Sequence, residues 1–252
     1  MKKLVFIVLV VAVLTSAAHA DLFSNWKLDE GSGTIAHDSA GSNNGTLVNG
    51  PVWTTGKING ALDFDGVDDG VQVPHSDNLN ITGDITIASW VYLKRGGNGS
   101  TASSQDIVSK TVGNGAKNNP FDFYINWYTC PMLVRADELG HEYVISTQRL
   151  SLMKWYHVAV TVENKDVNFY VDGNLTGKNG TLTKTPTGNS NPLYIGRRDF
   201  GVEGPIYFKG TIDDVRIYDR ALSQSEIRAI MIPEPATLFL LGLGAVILRR
   251  KR

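Results

Sequence analysis

A single cysteine, Cys130, is all the chain carries, so no intramolecular disulfide can brace it. The core must hold the fold unaided. Cys130 lies in the apolar run Tyr128-Thr129-Cys130-Pro131-Met132 and reads as a buried, inert thiol rather than a nucleophile. Charge is also sparse: 19% of the 252 residues are charged against 42% hydrophobic, which excludes a disordered chain and allows one or two domains. No surplus of positive charge exists in the body. Six of the 24 basic residues are Lys2, Lys3, Arg249, Arg250, Lys251 and Arg252, leaving eighteen to face 25 acidic residues. An acidic body repels phosphate backbones, so nucleic acid is excluded as a partner. Long helical periodicity is missing as well. In its place, 26 glycines with many Asn, Asp, Ser and Thr describe short strands joined by tight turns.

The usual catalytic signatures are absent. There is no H-E-x-x-H, no G-x-S-x-G and no Cys/His metal spacing. The seven glutamates are scattered, and the nearest pair, Glu138 and Glu142, flanks Gly140 in a turn. His37, His75 and His141 are isolated, and His157 is expected to be a strand residue with a local hydrogen bond. The stretch Asp63 to Gly70 resembles a calcium loop superficially, but an EF-hand needs a glutamate where Pro74 stands. It is expected to be a hairpin turn whose aspartates bond their own backbone.

The two chain ends are distinctive. Residues 1–20 run from Lys2-Lys3 through an apolar stretch, Leu4 to Leu14, to Ala18-His19-Ala20, the pattern of a secretory signal cut before Asp21. At the other end, Pro233-Glu234-Pro235 precedes a nearly unbroken apolar run, Ala236 to Leu248, and then four basic residues. Such a helix covers about 20 Å, short of a ~30 Å hydrocarbon core, yet it can cross a thinned bilayer with its basic end cytoplasmic. The tripeptide, short apolar segment and basic terminus over 233–252 resemble the PEP-CTERM sorting signal. The resemblance implies a transient inner-membrane intermediate, processing by an exosortase-type protease, and delivery to the surface, outer envelope or matrix of a Gram-negative bacterium. An ordinary tail anchor is the alternative.

Between these ends, apolar residues alternate with period two. Val158, Val160 and Val162, the loop Glu163-Asn164-Lys165-Asp166, and Val167, Phe169 and Val171 form a hairpin, ended by the turn Asp172-Gly173-Asn174. Further strands are expected at Ile85–Leu93, Ile107–Thr111, Phe121–Trp127, Tyr143–Thr147, Leu193–Gly196 and Thr211–Tyr218. One helix is expected, from an N-cap at Ser223 with Glu226 three residues on, through Ile230. Many short strands without βαβ alternation predict an all-β antiparallel sandwich over residues 21–230.

Six blocks carry a family pattern: Trp26 to Gly31, Gly60 to Gly66, Trp90-Val91, Trp155 to Ala159, Tyr170 to Gly173 and Phe208 to Tyr218. In this order they resemble the LamG-like, concanavalin A-like domains. The resemblance implies a jelly roll of two antiparallel sheets used for glycan or protein recognition, often holding a structural calcium. Laminarinase-type relatives need paired carboxylates supplied from one strand, and no Glu-x-Asp-x-Glu run occurs here.

Two sets of site residues follow. In Thr211–Ile217, simple alternation puts Asp213 on a face with Val215 and Ile217, where a carboxylate must be paired, hydrogen-bonded or metal-bound. Calcium and a turn hydrogen bond are equal readings. The resemblance adds Asp29 and Asp38 as further Ca²⁺ ligands, pinning the first strand to the last. For ligand binding, Tyr124, Asn126 and Tyr128 share one face of a strand, a mixture of rings and amide that suits sugars. Packing between the sheets is the alternative. The expectation is an exported, non-enzymatic module that recognises glycan or exopolysaccharide. The rivals are a matrix protein without a specific ligand and a divergent polysaccharide-cleaving enzyme.

Overall fold

The computed structural model describes residues 22–96, 104–111, 117–177, 180–199 and 205–232. The signal sequence and the sorting tail expected at the two ends, with Pro233, Glu234 and Pro235, lie outside the described residues. Among the described residues no helix is long and apolar enough to cross a membrane.

The body is a two-sheet antiparallel jelly-roll sandwich. One sheet orders its strands Asn174–Leu175, Asp166–Val171, Trp155–Glu163, Ile85–Leu93, Lys209–Tyr218, Gly60–Asp65 and Val52–Thr55. Leu22–Trp26 pairs with Lys209–Tyr218, and Gly180–Thr181 with Asp166–Val171, making nine. The second, eight-stranded sheet runs His141–Ile145, Pro131–Ala136, Asn119–Ile125, Gln105–Ser109, Leu193–Ile195, Gly70–Val73, Gly45–Val48 and Ile35–Ala36. A ribbon of Arg197–Arg198 and Ile206–Tyr207 completes the described strands.

Alternation explains why these segments pair as they do. In Ile85–Leu93, the side chains of Ile85, Ile87, Val91 and Leu93 enter the core between the sheets, while Thr86, Ala88, Trp90 and Tyr92 take the other face. The sheets meet through rings such as Phe123 and Phe169, stacked with centroids 6.4 Å apart, while Phe208, just before the last strand, packs edge to face on Phe64 at 6.2 Å. Both pairs sit in the main core cluster.

Three strands, Gln105–Ser109, Asn119–Ile125 and His141–Ile145, both start and end two residues earlier than expected. The early end of the second has a local cause. Asn126 Oδ1 accepts the amides of Tyr128 (2.9 Å) and Cys130 (3.0 Å), turning the chain and ending the strand although the apolar alternation of the sequence runs on to Trp127. Cys130 is buried and free, as expected.

The helix α1 (Gln224–Ile230) forms where its capping signal stands. The Ser223 hydroxyl accepts the Glu226 amide, and Glu226 accepts the Ser223 amide at 2.8 Å. A hydrogen bond from Arg220 first, then the Ser223 groups, bring the Glu226 carboxyl down to about 2 against a burial effect. Ile227 and Ile230 pack on Ala88, Ala159, Tyr170 and Tyr218, closing part of the outer face of the nine-stranded sheet.

Candidate functional site

Polar groups gather on the outer faces of both sheets. On the nine-stranded sheet the centre is Asp213. Its expected sharing of a face with Val215 and Ile217 is corrected by the structure, because pairing with Ile85–Leu93 shifts between Asp213 and Arg216. Asp214 takes a left-handed φ of 51° there. The bulge adds a residue, so Ile212, Val215 and Ile217 enter the core while Asp213 lies on the other face, opposite Trp90.

Asp213 is still fully buried. Its Oδ2 accepts the Ile58 amide at 2.7 Å, while Oδ1 has no hydrogen-bond partner among the described residues. Burial pushes the carboxyl up to about 8, with the Ile58 amide opposing and the charges of Asp214 and Asp29 adding. Asp29, Asp213 and Asp214 line one cavity of about 250 Å³, together with Lys27, Asn59 and Arg216. Asp29 lies just beyond the first strand and is held by the Gly60 amide (2.8 Å) and Asn59 Nδ2 (3.3 Å). Asp214 is committed to Arg216 Nε (2.9 Å) and Asn25 Nδ2 (2.8 Å). The backbone closes tightly around these acids: a Cβ on Gly56 would stand 2.6 Å from Asp213 Oδ2, and one on Gly60 2.8 Å from the Leu28 carbonyl oxygen.

Asp213 offers an oxygen without a hydrogen-bond partner and Asp29 a second carboxylate in the same cavity, and oxygen donors are what a Ca²⁺ ion takes. Asp38 does not belong to that set. Its Oδ1 accepts the amides of Asn25 (2.9 Å), Ala40 (3.2 Å) and Gly41 (2.9 Å), and Oδ2 that of Asn43 (3.1 Å). Burial opposes its charge, but these amides hold the carboxyl below the usual range, and it does not line the cavity. Asp38 fastens the loop after the first strand, which leaves Asp29 and Asp213 as the pair brought together.

Asp65, Asp68 and Asp69 also cluster, with ligand atoms within 4.8 Å of one another. As expected, they bond their own backbone: Asp65 Oδ1 accepts the Val67 amide (2.7 Å) and Asp69 Oδ2 the Asp65 amide (2.8 Å). The stretch is not a hairpin, however. It carries the chain from one sheet to the other, between Gly60–Asp65 and Gly70–Val73. His157 is a strand residue opposite Trp90, and burial drops its pKa to about 3. Its amide makes the expected hydrogen bond, to Asp172 Oδ1 at 3.0 Å, while its ring meets Trp90 edge-on at 5.3 Å and Nδ1 has no partner among the described residues.

The eight-stranded sheet carries the second cluster on its outer face. Asn119–Ile125 sends Phe121, Phe123 and Ile125 into the core and Asp122 and Tyr124 outward. Asp106, on the neighbouring strand, pairs in register with Tyr124. The ribbon places Arg198 between the two acids: its guanidinium bonds Asp122 and reaches Asp106 Oδ1 at 3.5 Å, while its Cζ lies 4.8 Å from the Tyr124 ring centre. The next residue back, Arg197, lies over the rings of Tyr194 (4.9 Å) and Tyr207 (5.5 Å). Burial raises the Asp106 carboxyl well above its ordinary value, Arg198 opposing and Asp122 adding. Both oxygens of Asp106, Oδ1 of Asp122 and Nε of Arg197 lack hydrogen-bond partners among the described residues.

Of the expected trio, only Tyr124 belongs to this cluster. Asn126 is consumed in the turn it closes, and Tyr128 stands in that turn, 51% exposed, with Arg149 over its ring at 5.5 Å. Asp106, Asp122 and Arg198 were not among the sequence candidates. Asp106 lies among polar residues and Arg198 is flanked by Arg197 and Asp199, so neither stands out locally, and three separate strands bring the group together. The signal available was Asp122 itself, a charge inside the run Phe121 to Ile125.

The fold has known counterparts. Domain 4 of an extracellular arabinanase from Geobacillus stearothermophilus, solved with arabinotriose, is 19% identical, with a TM-score of 0.63 over 84% of this chain and 98% of that one. Trypanosoma rangeli sialidase is 19% identical at a TM-score of 0.60, over 84% of this chain but only 32% of the sialidase. The binding domain of Paraclostridial Mosquitocidal Protein 1 is 16% identical at a TM-score of 0.64, over 85% of this chain and 52% of that one. A PEP-CTERM protein-sorting motif matches residues 232–252, which marks the protein for export and sorting to the envelope or surface and implies exosortase processing. With residues 65–228 matching its family model, the chain belongs to the concanavalin A-like lectin/glucanases superfamily.

Proposed function

We propose that the mature domain is a non-catalytic recognition module for glycan or exopolysaccharide, sorted to the cell surface or matrix through an inner-membrane intermediate. The observation that carries this reading is the grouping of Asp106, Asp122, Arg197 and Arg198 beside the rings of Tyr124, Tyr194 and Tyr207 on the outer face of the eight-stranded sheet, with carboxylate oxygens and Arg197 Nε lacking hydrogen-bond partners among the described residues. Orphaned carboxylate oxygens and a guanidinium nitrogen beside aromatic rings are what a sugar, with its hydroxyl edges and apolar ring face, can satisfy. The arabinanase domain solved with arabinotriose lends coarse support. We further propose that one Ca²⁺, held by Asp213 and Asp29, fastens the segment after the first strand to the last strand.

A second reading, a divergent polysaccharide-cleaving enzyme, draws on the pairing of Asp106 with Asp122, since glycoside hydrolysis needs two carboxylates. We favour recognition because the Arg198 guanidinium is wedged between the two acids, and carboxylates that share one cation are poorly suited to protonate a leaving group or activate water. A glycan array on the mature protein is the test. Saturable binding that Arg198→Gln weakens supports recognition; no binding to any glycan would favour the matrix role.

A further inference from the structure

At one end of the sandwich a cavity of about 160 Å³ opens between the sheets, away from both clusters described above. Arg135, Lys165, Lys184, Asp84 and Asn164 line it. Arg135 is 3% exposed and joins the two layers of the fold. Its Nε donates to the Pro120 carbonyl, Nη1 to that of Gly83 (2.8 Å) and Nη2 to that of Ile81 (2.6 Å). No carboxylate forms an ion pair with it among the described residues. Asp84, whose charge reaches it, accepts the Asn164 amide at 2.8 Å. Burial lowers this arginine to about 10, Asp84 opposing. A guanidinium surrounded by neutral carbonyls keeps a desolvated charge that only an anion offsets fully.

The rest of the cavity is set up around that charge. Lys165 sits at the rim in a two-residue turn, with φ of 48° at Asn164 and 74° at Lys165, and donates to the Thr183 carbonyl at 2.8 Å. Lys184 pairs with Asp137 at 3.2 Å. The wall carrying Thr183 and Lys184 is fixed by Glu142, which accepts their amides at 2.7 and 3.0 Å. Val162, Leu182 and Pro186 supply apolar surface.

We propose that this cavity is an acidic-sugar subsite, in which Arg135, supported by Lys165 and Lys184, binds the carboxylate of a uronic acid residue. A guanidinium offers five N–H donors, and three of them go to the carbonyls named above, so two remain for a ligand. Their planar fork matches a carboxylate. The volume exceeds several times the ~30 Å³ share of a water, and the apolar wall suits a ring face. The ligand class rests on the glycan-recognition reading; the cavity itself is separate from the outer face where that reading stands.

The test is calorimetric titration of the mature protein with glucuronate, glucose and inorganic sulfate. Glucuronate should bind saturably, weaken in high salt, and lose at least about tenfold in affinity in Lys165→Glu, a rim change that spares the buried arginine should Arg135→Met fail to fold. Lys154→Glu, the same charge change on a distant exposed lysine, should leave the affinity as it was. Glucose should not bind here. Absence of glucuronate binding, or affinity equal in Lys165→Glu and the parent, overturns the proposal; sulfate binding as tightly as glucuronate reduces the cavity to a general anion site and also overturns it. If neutral glycans bind on the array while glucuronate does not, the subsite alone falls; if no glycan of either kind binds, both readings fall.

Discussion

Asp29 and Asp213 line the same cavity although one follows the first strand of the sandwich and the other lies in its last. Asp213 is buried with an oxygen left over, and a metal ion bound in the cavity would supply the partner that oxygen lacks.

Calcium should therefore raise the unfolding temperature of the mature protein, and EDTA should lower it. At free Ca²⁺ about 100 times its dissociation constant the gain is about 2.7 kcal/mol. Asp213→Asn should abolish the response, and a midpoint indifferent to EDTA with no ion carried through purification sinks the idea.

The same carboxyl predicts a pH trend. Its folded pKa of about 8 lies above the ordinary carboxylate value, so the folded state holds a proton that the unfolded state has released. That contribution is complete below about pH 4 and fades as pH rises toward 8, so metal-free protein should lose stability over this window. Calcium displaces the proton, so its affinity should rise by up to about tenfold per pH unit until pH 8. Calorimetry from pH 5 to 9 checks both; a flat profile in the absence of metal refutes the assignment.

Removing Arg198 alone should be severe. Arg198→Met leaves Asp106 and Asp122 buried without a cation, at a cost of about 3–5 kcal/mol in denaturant unfolding. Adding Asp106→Asn and Asp122→Asn should restore much of it. Equal stability of single and triple variants would mean the three do not act together.

Assays of reducing-end release from arabinans and β-glucans should stay at background for the parent protein and for Asp106→Asn and Asp122→Asn alike. A measurable rate that either change abolishes revives the enzymatic reading.

The tail should be absent from the mature protein. Intact mass of surface material should show no Arg249–Arg252 peptide, and Glu234→Ala should accumulate uncut protein in the inner membrane. Full-length protein recovered at the surface would point to an ordinary anchor.

Much of the fold was legible because its strands obey a period of two and its helix announces itself with Ser223 and Glu226. The site was legible only in part. Asp213 and Tyr124 stand out as a polar group and a ring in otherwise apolar strands. The bulge beside Asp213 is invisible to simple alternation because one inserted residue exchanges the faces. Asn126 misled for a related reason: its side chain ends the strand although the apolar pattern continues past it to Trp127. Asp106 and Asp122 come from neighbouring strands, but Arg198 reaches them from a segment 76 residues beyond Asp122, and no local window contains that relation.

The strand Lys209–Tyr218 occupies an interior position of the nine-stranded sheet, between Ile85–Leu93 and Gly60–Asp65, and it also carries Leu22–Trp26. Synthesis delivers it after every other strand of both sheets. Until it arrives, the sheet is split into two halves, and the first strand has no neighbour to pair with. Pairing of the last strand with Leu22–Trp26 and Gly60–Asp65 spans most of the domain, and contacts so far apart in sequence form slowly. Closure of the nine-stranded sheet is thereby deferred until nearly the whole domain has been made.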